Sequence, residues 1–467
     1  MKTIIYLFFT KNRFRITALI ALFFLISSIQ SCDNYVEVDR PNSQLTSSAV
    51  FEDMTTATAA LSGLYAKMRT NGVLAGNSLG VTALVGMYAD ELDYFQTGNV
   101  NFYNNTLVAT ESANATLWNT TYRQIYEANS IIEGVSNSTV LPVAGKNQLI
   151  GEALFLRAIL HFYLVNLYGD VPYITTTDYI QNSQVSRTPT ASVYTSIKAD
   201  LEEAITLLPE AYITAERVRP NKFAAYALLA RVCLFTGSYA EAANAASAVI
   251  NSNTYVWETD LNKVFLKNST TTIWQFNPAA TGTNTSEGNL FIFVSGPPSN
   301  VALRTSFINS FEANDQRKVK WVKAVTNGTN TWYHAYKYKQ QTTTAASQEY
   351  SVVLRLAEQY LIRAEARARQ GELTNAKTDL DLIRTTAGLP VSTATTQSQI
   401  ITDVMNQRRF ELFTEFGHRF FDLKRYGLVD AVLSVSKPGW NSTDSLWPIP
   451  ATELTLNPNL NPQNSGY

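Results

Sequence analysis

A serine stands between two glycines in the order that many serine hydrolases use for their nucleophile. Residues 76–80 read GNSLG, with Ser78 at the centre. That motif needs a strand before the serine, a helix after it, and an acid and a histidine later in the chain. Residues 68–75 show no strand pattern, and the composition is typical of a turn between two helices. Two of the three histidines, His161 and His418, fall in segments that we interpret as structural. The sequence therefore favours a turn over a catalytic serine.

Three acids lie close together after this turn. Asp90, Glu91 and Asp93 could suggest the carboxylate pair of a glycosidase. At so close a spacing, at a helix end or in a loop, such acids more often cap a helix, bind a polar ligand or face solvent. No phosphate-binding loop, HExxH motif or calcium loop occurs, and two cysteines are too few for a zinc site. We therefore predict a protein that is not an enzyme, with no cofactor and no metal.

The composition points instead to a binding surface. The formal net charge is −1 with 16% charged residues, which argues against a nucleic-acid partner because such partners require a basic surface. Aromatic residues reach 12% of the chain, with 24 Tyr, 23 Phe and 7 Trp. This is more than a helical core alone needs, so we interpret part of the aromatic content as available to a ligand.

Two irregular segments concentrate those aromatic residues. We call residues 90–110 the aromatic loop, and residues 253–348, rich in Thr, Asn and Gly, the insertion. Within the insertion, TTIWQF and LFIFV have the pattern of strands. Because sites usually lie on loops held by a rigid frame, we expect at least one residue from each segment to line one exposed groove. The candidate ligand-binding residues are Asp93, Tyr94, Phe95, Asn99, Asn101, Phe102 and Tyr103 in the aromatic loop, and Phe291, Phe293, Trp332 and Tyr333 in the insertion.

The frame itself is predicted to be helical. Residues 151–173 are apolar on every face, which requires cover on all sides, so this stretch is expected to be a central buried helix. Residues 219–250 have the pattern of a helical hairpin with a Gly-Ser turn. A partial copy follows at a constant offset, in which Tyr226, Gly237 and Ala242 correspond to Tyr360, Gly371 and Ala376. Small residues and glycines at these intervals resemble a tetratricopeptide hairpin. We also interpret the Arg/Glu-rich helix around residues 408–415 as an internal ion-pair network.

The N-terminus has the organisation of an export signal. Basic residues precede an apolar run from Ile16 to Ile26, which is shorter than the ~20 residues of a membrane-spanning helix. A small residue, Ser31, stands directly before Cys32. This arrangement resembles a bacterial lipoprotein processing site, where the cysteine is lipidated and becomes the new N-terminus. Residues 1–31 are therefore predicted to be removed, and Cys32 to carry the lipid anchor. A polar, turn-rich tether follows to about residue 51.

Four signatures occur in order along the chain: FLRA…YGDVP, AEQYLIRAEA, RRFEL…GHRFFDLKR and the tail LWPIP…NPNLNPQN. Together they resemble the SusD/RagB family of outer-membrane lipoproteins of Bacteroidetes, over residues 32–467. The resemblance implies a mainly α fold: a tetratricopeptide-like helical scaffold, at about 52–252 and 349–427, carrying an irregular α+β, loop-rich insertion that contributes to ligand binding. It implies one SusD-like body rather than several domains. The ligand site of the family has no fixed motif, so no site residue follows from the resemblance.

The resemblance also implies a function. We expect a lipid-anchored protein of the outer membrane, facing the cell surface, that binds an oligosaccharide and acts as a lid on a SusC-like TonB-dependent transporter. A peptide ligand, as in the RagB branch, is the alternative. Sugars favour aromatic platforms rimmed by Asn, Asp and Arg, whereas peptides favour a wider, less aromatic groove with backbone-like donors. The Tyr-, Phe- and Asn-rich loops favour a glycan. A third class, a structural partner of the barrel with no ligand of its own, would show no binding.

Overall fold

Long helices dominate the part of the chain that the computed structural model describes, residues 50–467. The predicted signal peptide, the predicted anchor Cys32 and most of the tether lie outside these residues. The helices are α1 (Met54–Thr70), α2 (Val81–Tyr88), α3 (Val100–Asn104), α4 (Ser112–Asn137), α5 (Val143–Tyr168), α6 (Tyr179–Asn182), α7 (Thr190–Leu207), α8 (Lys222–Phe235), α9 (Tyr239–Ile250), α10 (Ser286–Phe291), α11 (Thr305–Asn309), α12 (Gln316–Trp321), α13 (Leu356–Arg369), α14 (Leu373–Thr386), α15 (Gln397–Glu411), α16 (His418–Arg425), α17 (Val429–Ser436) and α18 (Ala451–Leu456). The expected mainly α fold is confirmed.

Helix α5 is the predicted central helix, and it begins eight residues before the stretch that the apolar pattern marked. Every residue from Gly151 to Tyr168 is buried, as an all-round apolar helix requires. By length and composition α5 could cross a membrane, but 89% of its most apolar window lies inside the protein. It ends at Gly169, whose φ of +74° is accessible to glycine at little cost. Helices α4 and α7 pack along it.

The two related hairpins in the sequence are two helical pairs that pack on each other. The first is α8 with α9, the second is α13 with α14, and α9 packs against α13. Both turns use a glycine with positive φ, +73° at Gly237 and +84° at Gly371. The next backbone N–H then donates to a carbonyl of the preceding helix, Ser238 to Cys233 in the first turn and Glu372 to Arg367 in the second, each at 2.9 Å. The sequence copy is therefore also a copy of the turn geometry.

Two small antiparallel sheets accompany the helices. The strands are β1 (Leu92–Tyr94), β2 (Thr272–Phe276), β3 (Val301–Leu303), β4 (Val322–Asn327), β5 (Asn330–Ala335) and β6 (Ser351–Arg355). One sheet has the order β1-β3-β5-β4, and the other pairs β2 with β6. Both sheets join a strand of the insertion to a strand outside it. The insertion also contains helices α10, α11 and α12, so strands and helices occur on both sides of the predicted boundaries at about 253 and 348.

One of the two predicted strands of the insertion is wrong. The TTIWQF run does form β2, but LFIFV does not form a strand, because its first two residues end helix α10. The Thr285 hydroxyl accepts a hydrogen bond from the Gly288 N–H, and Glu287 lies in the first turn. Both features stabilise a helix start, and this local capping outweighs the strand preference of the apolar run.

The predicted ion-pair network around α15 is confirmed, and it joins the insertion to the helical frame. Arg355 contacts Glu411 at 2.6 Å and Glu415 at 2.8 Å. Lys337 and Arg317, both from the insertion, reach the same two carboxylates. All five side chains are buried, and burial lowers the pKa of Lys337 to about 8. Removal of one member would strand a buried charge, so the network fixes the insertion on α15.

Candidate ligand-binding site

Strand pairing brings together the two segments that the sequence marked as aromatic. Strand β1, from the aromatic loop, pairs with β3 of the insertion, with Tyr94 opposite Val301. Strand β3 then pairs with β5 at Leu303 and Tyr333. The candidate residues of both segments therefore lie on or beside one sheet, although neither segment carries a sequence signal for the other.

Asp93 and Tyr103 hold the aromatic loop in place. The Tyr103 hydroxyl donates to Asp93 Oδ1 at 3.1 Å, and Arg304 Nε lies 3.3 Å from the same oxygen. Lys437 donates to the Tyr103 carbonyl at 2.9 Å, and its Nζ lies 4.0 Å from the centre of the Tyr103 ring. Burial lowers the pKa of Lys437 to about 7. Both candidate residues are thus engaged with the protein, and this fixes the shape of the loop.

Tyr94 and the two asparagines also brace the loop from within. The Tyr94 hydroxyl accepts a hydrogen bond from the Asn99 backbone N–H at 3.0 Å, and Asn101 Nδ2 donates to Glu111 at 2.7 Å. The Tyr94 ring is half-buried against the main hydrophobic core. These residues shape the loop first, and only their remaining surface is open to a ligand.

Three of the candidate rings are buried, which corrects their assignment as stacking platforms. Phe102 has no exposed surface, and its ring centre lies 5.0 Å from that of Trp447. Phe291 is 4% exposed, and Phe293 is 9% exposed with its ring 5.0 Å from that of His334. An aromatic side chain in a loop satisfies its hydrophobicity most readily by packing inward, and these three residues do so. None of them offers a ring face to solvent.

Phe95 and Trp332 keep accessible surface at the end of the sheet. Phe95 is 39% exposed, and its backbone N–H donates to the Asn300 carbonyl at 2.8 Å. Trp332 is half-buried, and a Cβ added at Gly296 would lie 2.2 Å from its ring, so the glycine permits this contact. Tyr333 is half-buried against the core. Among the rings that the sequence singled out, Phe95 and Trp332 are the two best placed to meet a ligand.

A large polar cleft adjoins this edge of the sheet, with a cavity of about 690 Å³. Its walls come from five parts of the chain, and they consist of turns and loops together with helix α10. The lining residues are 77–78, Gln96, 283–286, 289–290, 299–300 and 341–343. Among these residues Leu290 is the one apolar side chain, and none carries a charge; the others are Asn, Gln, Ser and Thr. The cleft therefore presents neutral donors and acceptors and no ionic partner.

Some amide groups of the cleft are used to fix its walls. Asn284 Nδ2 donates to the Thr342 carbonyl at 3.0 Å, and its Oδ1 accepts from the backbone N–H of Gln348 at 2.9 Å. Gln96 Nε2 donates to the Ser299 carbonyl at 2.6 Å, which ties the aromatic loop to the strand β3 segment. These bonds make the cleft a preformed site rather than a gap between independent loops.

A smaller cavity of about 190 Å³ adjoins the cleft and shares residues 283–286 with it. It is lined by charged side chains as well, including Arg69 and Glu287. Burial raises the pKa of Glu287, whose carboxylate accepts a hydrogen bond from the Ser351 hydroxyl. A Cβ at Gly76 would lie 2.3 Å from the Glu287 carboxylate, so a larger residue there would displace this side chain. Glycine at position 76 thus serves packing at this cavity.

The G-x-S-x-G segment lies beside the cleft, but in another context than the hydrolase motif. Helix α1 and a turn precede Ser78, where that motif has a strand. A Cβ at Gly80 would lie 1.7 Å from the Ala75 carbonyl oxygen, so this glycine permits a tight turn into α2. The histidine imidazoles are buried, and burial lowers the pKa of His161 to about 3. Ser78 is therefore positioned as one of the hydroxyl groups that line the cleft.

Most of the cleft residues carry no sequence pattern that marks them as a site. Stretches such as TGTNTSEGN at 281–289 and QQTTTA at 340–345 have no periodicity, so no pattern placed them in space. Their one signal is composition: they are rich in Thr, Asn and Gln and poor in charge. Among residues 50–467, no cluster of three or more His, Cys, Asp or Glu side chains is arranged to hold a metal ion.

Comparisons with known families agree with this fold. Residues 34–234 match the SusD-like family model described as starch-binding associating with outer membrane, and residues 309–467 match the model of the SusD family. SusD-like protein P2 of Formosa agariphila is 28% identical, over 98% of this chain and all of that protein. The chain belongs to the SusD/RagB family. Members of this family are binding proteins associated with the outer membrane in Bacteroidetes, and in general they bind oligosaccharides and work with SusC-type transporters.

Solved structures share the architecture. A SusD superfamily protein from Bacteroides vulgatus superposes with a TM-score of 0.78, at 23% identity, and covers 89% of this chain and all of that one. A laminarin-binding SusD-like protein superposes with a TM-score of 0.74, also at 23% identity. The superposition covers 88% of this chain and 99% of that protein's chain. At such identities these likenesses establish the fold. The ligand of this chain has to be inferred from the residues of its own site.

Proposed function

We propose that the protein binds a neutral oligosaccharide in the polar cleft and delivers it to a SusC-like TonB-dependent transporter, over which it acts as a lid. The observation that carries the proposal is the lining of the cleft: a cavity of about 690 Å³ with amide and hydroxyl groups and no charge. Sugar hydroxyls both donate and accept hydrogen bonds, so a wall of Asn, Gln, Ser and Thr is complementary to them. A ligand with ionised groups would lose their hydration without gaining an ionic partner.

Aromatic surface at the rim supports the same ligand class. Phe95 directly precedes Gln96 of the cleft, and its backbone N–H is bonded to the carbonyl of Asn300, another lining residue. The Trp332 ring lies against Gly296, a few residues before the same segment. A flat apolar ring packs against the C–H face of a sugar while the hydroxyls point toward polar groups. The laminarin-binding relative makes β-1,3-linked glucans the first ligand to test.

A peptide is the competing ligand. An extended peptide binds largely through backbone hydrogen bonds along an exposed strand edge or groove, and its termini and many of its side chains are charged. The uncharged lining favours the glycan over such a ligand. The smaller cavity, lined by Arg69 and Glu287, is the part of the site that would suit a charged group. Peptide and glycan affinities should therefore be measured side by side.

Attachment to the membrane completes the proposal. Lipid on Cys32 would hold the protein at the outer membrane with its body on the cell-surface side. Stable attachment requires more than one acyl chain, because a single myristoyl chain binds only marginally. The lid arrangement would place the cleft at the mouth of the barrel, so that the glycan passes from one protein to the other.

Calorimetric titration with laminarin oligosaccharides, followed by a wider panel of glycans and peptides, tests the proposal. Asn289→Ala and Asn300→Ala each remove one neutral amide from the lining, and each is expected to weaken glycan binding by ~0.5–1.5 kcal/mol, about 2- to 12-fold. Phe95→Ala removes a ring and is expected to cost ~1–3 kcal/mol, by analogy with base stacking on aromatic side chains.

Matched controls separate binding from folding. Asn251→Ala and Tyr179→Ala change an exposed amide and an exposed ring outside the cleft, and both should bind as the wild type does. The melting temperatures of all five variants should stay near that of the wild type. Glycan affinity that is unchanged in all three cleft variants would show that the site lies elsewhere, and binding of peptides but of no glycan would decide for the alternative ligand.

A further inference from the structure

A second groove lies on a different part of the protein, and none of its lining residues belongs to the cleft. It has a cavity of about 340 Å³, within the range of small-molecule sites. Three segments form it: helix α4, the segment that follows α5 and includes α6, and the C-terminal segment around α18.

Helix α4 contributes an aromatic floor to this groove. Trp118, Tyr122 and Tyr126 are spaced by four residues and therefore lie on one face of the helix. The rings of Trp118 and Tyr122 are 4.8 Å apart, and Trp118 is 3% exposed. Tyr126 is 48% exposed. Along this floor the rings become more exposed: Trp118 is buried, Tyr122 is half-buried, and the Tyr126 ring is open to a ligand.

The polar groups around this floor are neutral amides, the Ser183 hydroxyl and one carboxyl. Asn119, Asn182 and Asn457 line the groove together with Glu453, and no Lys, Arg or His is among the described lining residues. Burial raises the pKa of Glu453, which favours its neutral form relative to an exposed carboxyl. The lining therefore offers no cation to a phosphate, a sulfate or a uronic acid.

Hydrogen bonds hold the walls of the groove in place without a ligand. The Tyr122 hydroxyl donates to the Pro172 carbonyl at 2.9 Å. Asn182 Nδ2 donates to the Thr176 carbonyl, and Asn457 Nδ2 to the Val185 carbonyl, each at 2.8 Å. Because part of each amide is used for the wall, its orientation is fixed before binding. A preformed site loses less entropy when a ligand binds.

We propose that this groove is a second saccharide-binding site, which takes a short, uncharged part of a glycan with one sugar ring on Tyr126. An exposed ring, several fixed amides and the absence of cationic lining together match a neutral sugar, which has an apolar C–H face and hydroxyls around its edge. The class of ligand follows the proposed function, whereas the location is independent of the cleft.

Two sites on one protein would change how a polymer is captured. A polysaccharide that occupies the groove is held near the protein, so its engagement of the cleft becomes an intramolecular step with a raised effective concentration. Oligosaccharides too short to reach both sites would gain nothing. The groove would therefore increase the affinity for long chains over short ones.

Saturation-transfer NMR on the purified protein tests the groove with defined probes: glucose, galactose, mannose, xylose and N-acetylglucosamine, and the trisaccharides laminaritriose, maltotriose and cellotriose at millimolar concentration. Wild-type protein should give a signal with at least one probe that Tyr126→Ala reduces at least about fivefold, as loss of a stacking ring predicts. Asn182→Ala should reduce the same signal. Tyr179→Ala removes a tyrosine that is even more exposed (77%) and does not line the groove, and it should leave the signal unchanged.

The cleft variant Phe95→Ala separates the two sites. Under the proposal it leaves the Tyr126-dependent signal intact, and Tyr126→Ala leaves the Phe95-dependent binding of short oligosaccharides intact. A wild-type protein that shows no Tyr126-dependent signal with any probe overturns the second site, whatever the cleft binds. So does a Tyr126→Ala variant that binds sugars normally but recovers less of a membrane partner in pull-down, because that result assigns the groove to a protein contact.

Discussion

Arg157 joins three helices of the core, and its removal offers a sharp test of how the frame is held. On α5, its Nε donates to Asp200 Oδ2 at 2.8 Å and its Nη2 to Oδ1 at 2.6 Å, so the contact with α7 is a two-point fork. Its Nη1 donates to Asn129 Oδ1 on α4 at 2.9 Å. Arg157 is 7% exposed and Asp200 is 6% exposed. Arg157→Ala would therefore leave a buried carboxylate without its cation.

The expected cost follows from this burial. Breaking a buried pair by removing one partner destabilises a protein by ~3–5 kcal/mol, because the remaining charge stays desolvated. A chain of this length has an unfolding entropy of roughly 0.9 kcal/mol/K if it unfolds as one unit. The melting temperature of Arg157→Ala should therefore fall by about 3–6 °C. Arg157→Lys keeps the charge but loses the two-point contact with Asp200, so its melting temperature should fall by less than that of Arg157→Ala.

Calorimetric or optical melting of the variants measures this effect. Arg123→Ala is the matched control, because it removes an exposed arginine from α4, and its melting temperature should stay near that of the wild type. Glycan affinity of the folded Arg157→Ala protein should be unchanged, since Arg157 lies outside the cleft. An unchanged melting temperature with a large loss of affinity would refute the structural role of Arg157 and indicate a binding role.

Four further predictions follow from the structure and the sequence. Burial raises the pKa of Glu91 to about 8, so the stability that its protonated form contributes is present below pH ~4.5 and is lost as the pH rises to about 8. The melting temperature of Glu91→Gln, relative to that of the wild type, should therefore rise between pH ~4.5 and about 8. A difference that stays constant over this range would refute the raised pKa. Phe102→Ala should destabilise by ~3–5 kcal/mol through the cavity it leaves, rather than act on a ligand directly, and an unchanged melting temperature would contradict its burial. Cys32→Ala should release the protein from the membrane fraction, whereas retention after a high-salt wash would argue against lipid on Cys32. Pull-down of the tagged protein from membranes solubilised in mild detergent should recover a protein of TonB-dependent transporter size, and repeated recovery of the protein alone would count against the lid.

The helical frame could be predicted because its signals are local. The all-round apolar stretch predicted a buried helix, and α5 is buried throughout. The constant offset between Gly237 and Gly371 predicted two related turns, and the backbone hydrogen bonds repeat at both. Periodicity and turn residues act over a few positions, so they can be interpreted without knowledge of the rest of the fold.

The site depended on contacts between distant parts of the chain. Pairing of β1 with β3 brings together residues about two hundred positions apart, and no local pattern indicates it. The aromatic rings were the visible signal, yet Phe102, Phe291 and Phe293 pack inward, because their hydrophobicity is satisfied by the core as well as by a ligand. The neutral amides and hydroxyls of the cleft have a composition shared by many surface loops, so only the fold shows that they converge.

The most direct measurement of the central claim is a crystal structure of the protein grown with a neutral oligosaccharide that it binds in solution. Sugar density is expected in the cleft, within hydrogen-bond distance of Asn289 or Asn300 and with a sugar ring against Phe95 or Trp332. Sugar density at the second groove alone, or occupation of the cleft by a peptide in competition with the glycan, would contradict this claim.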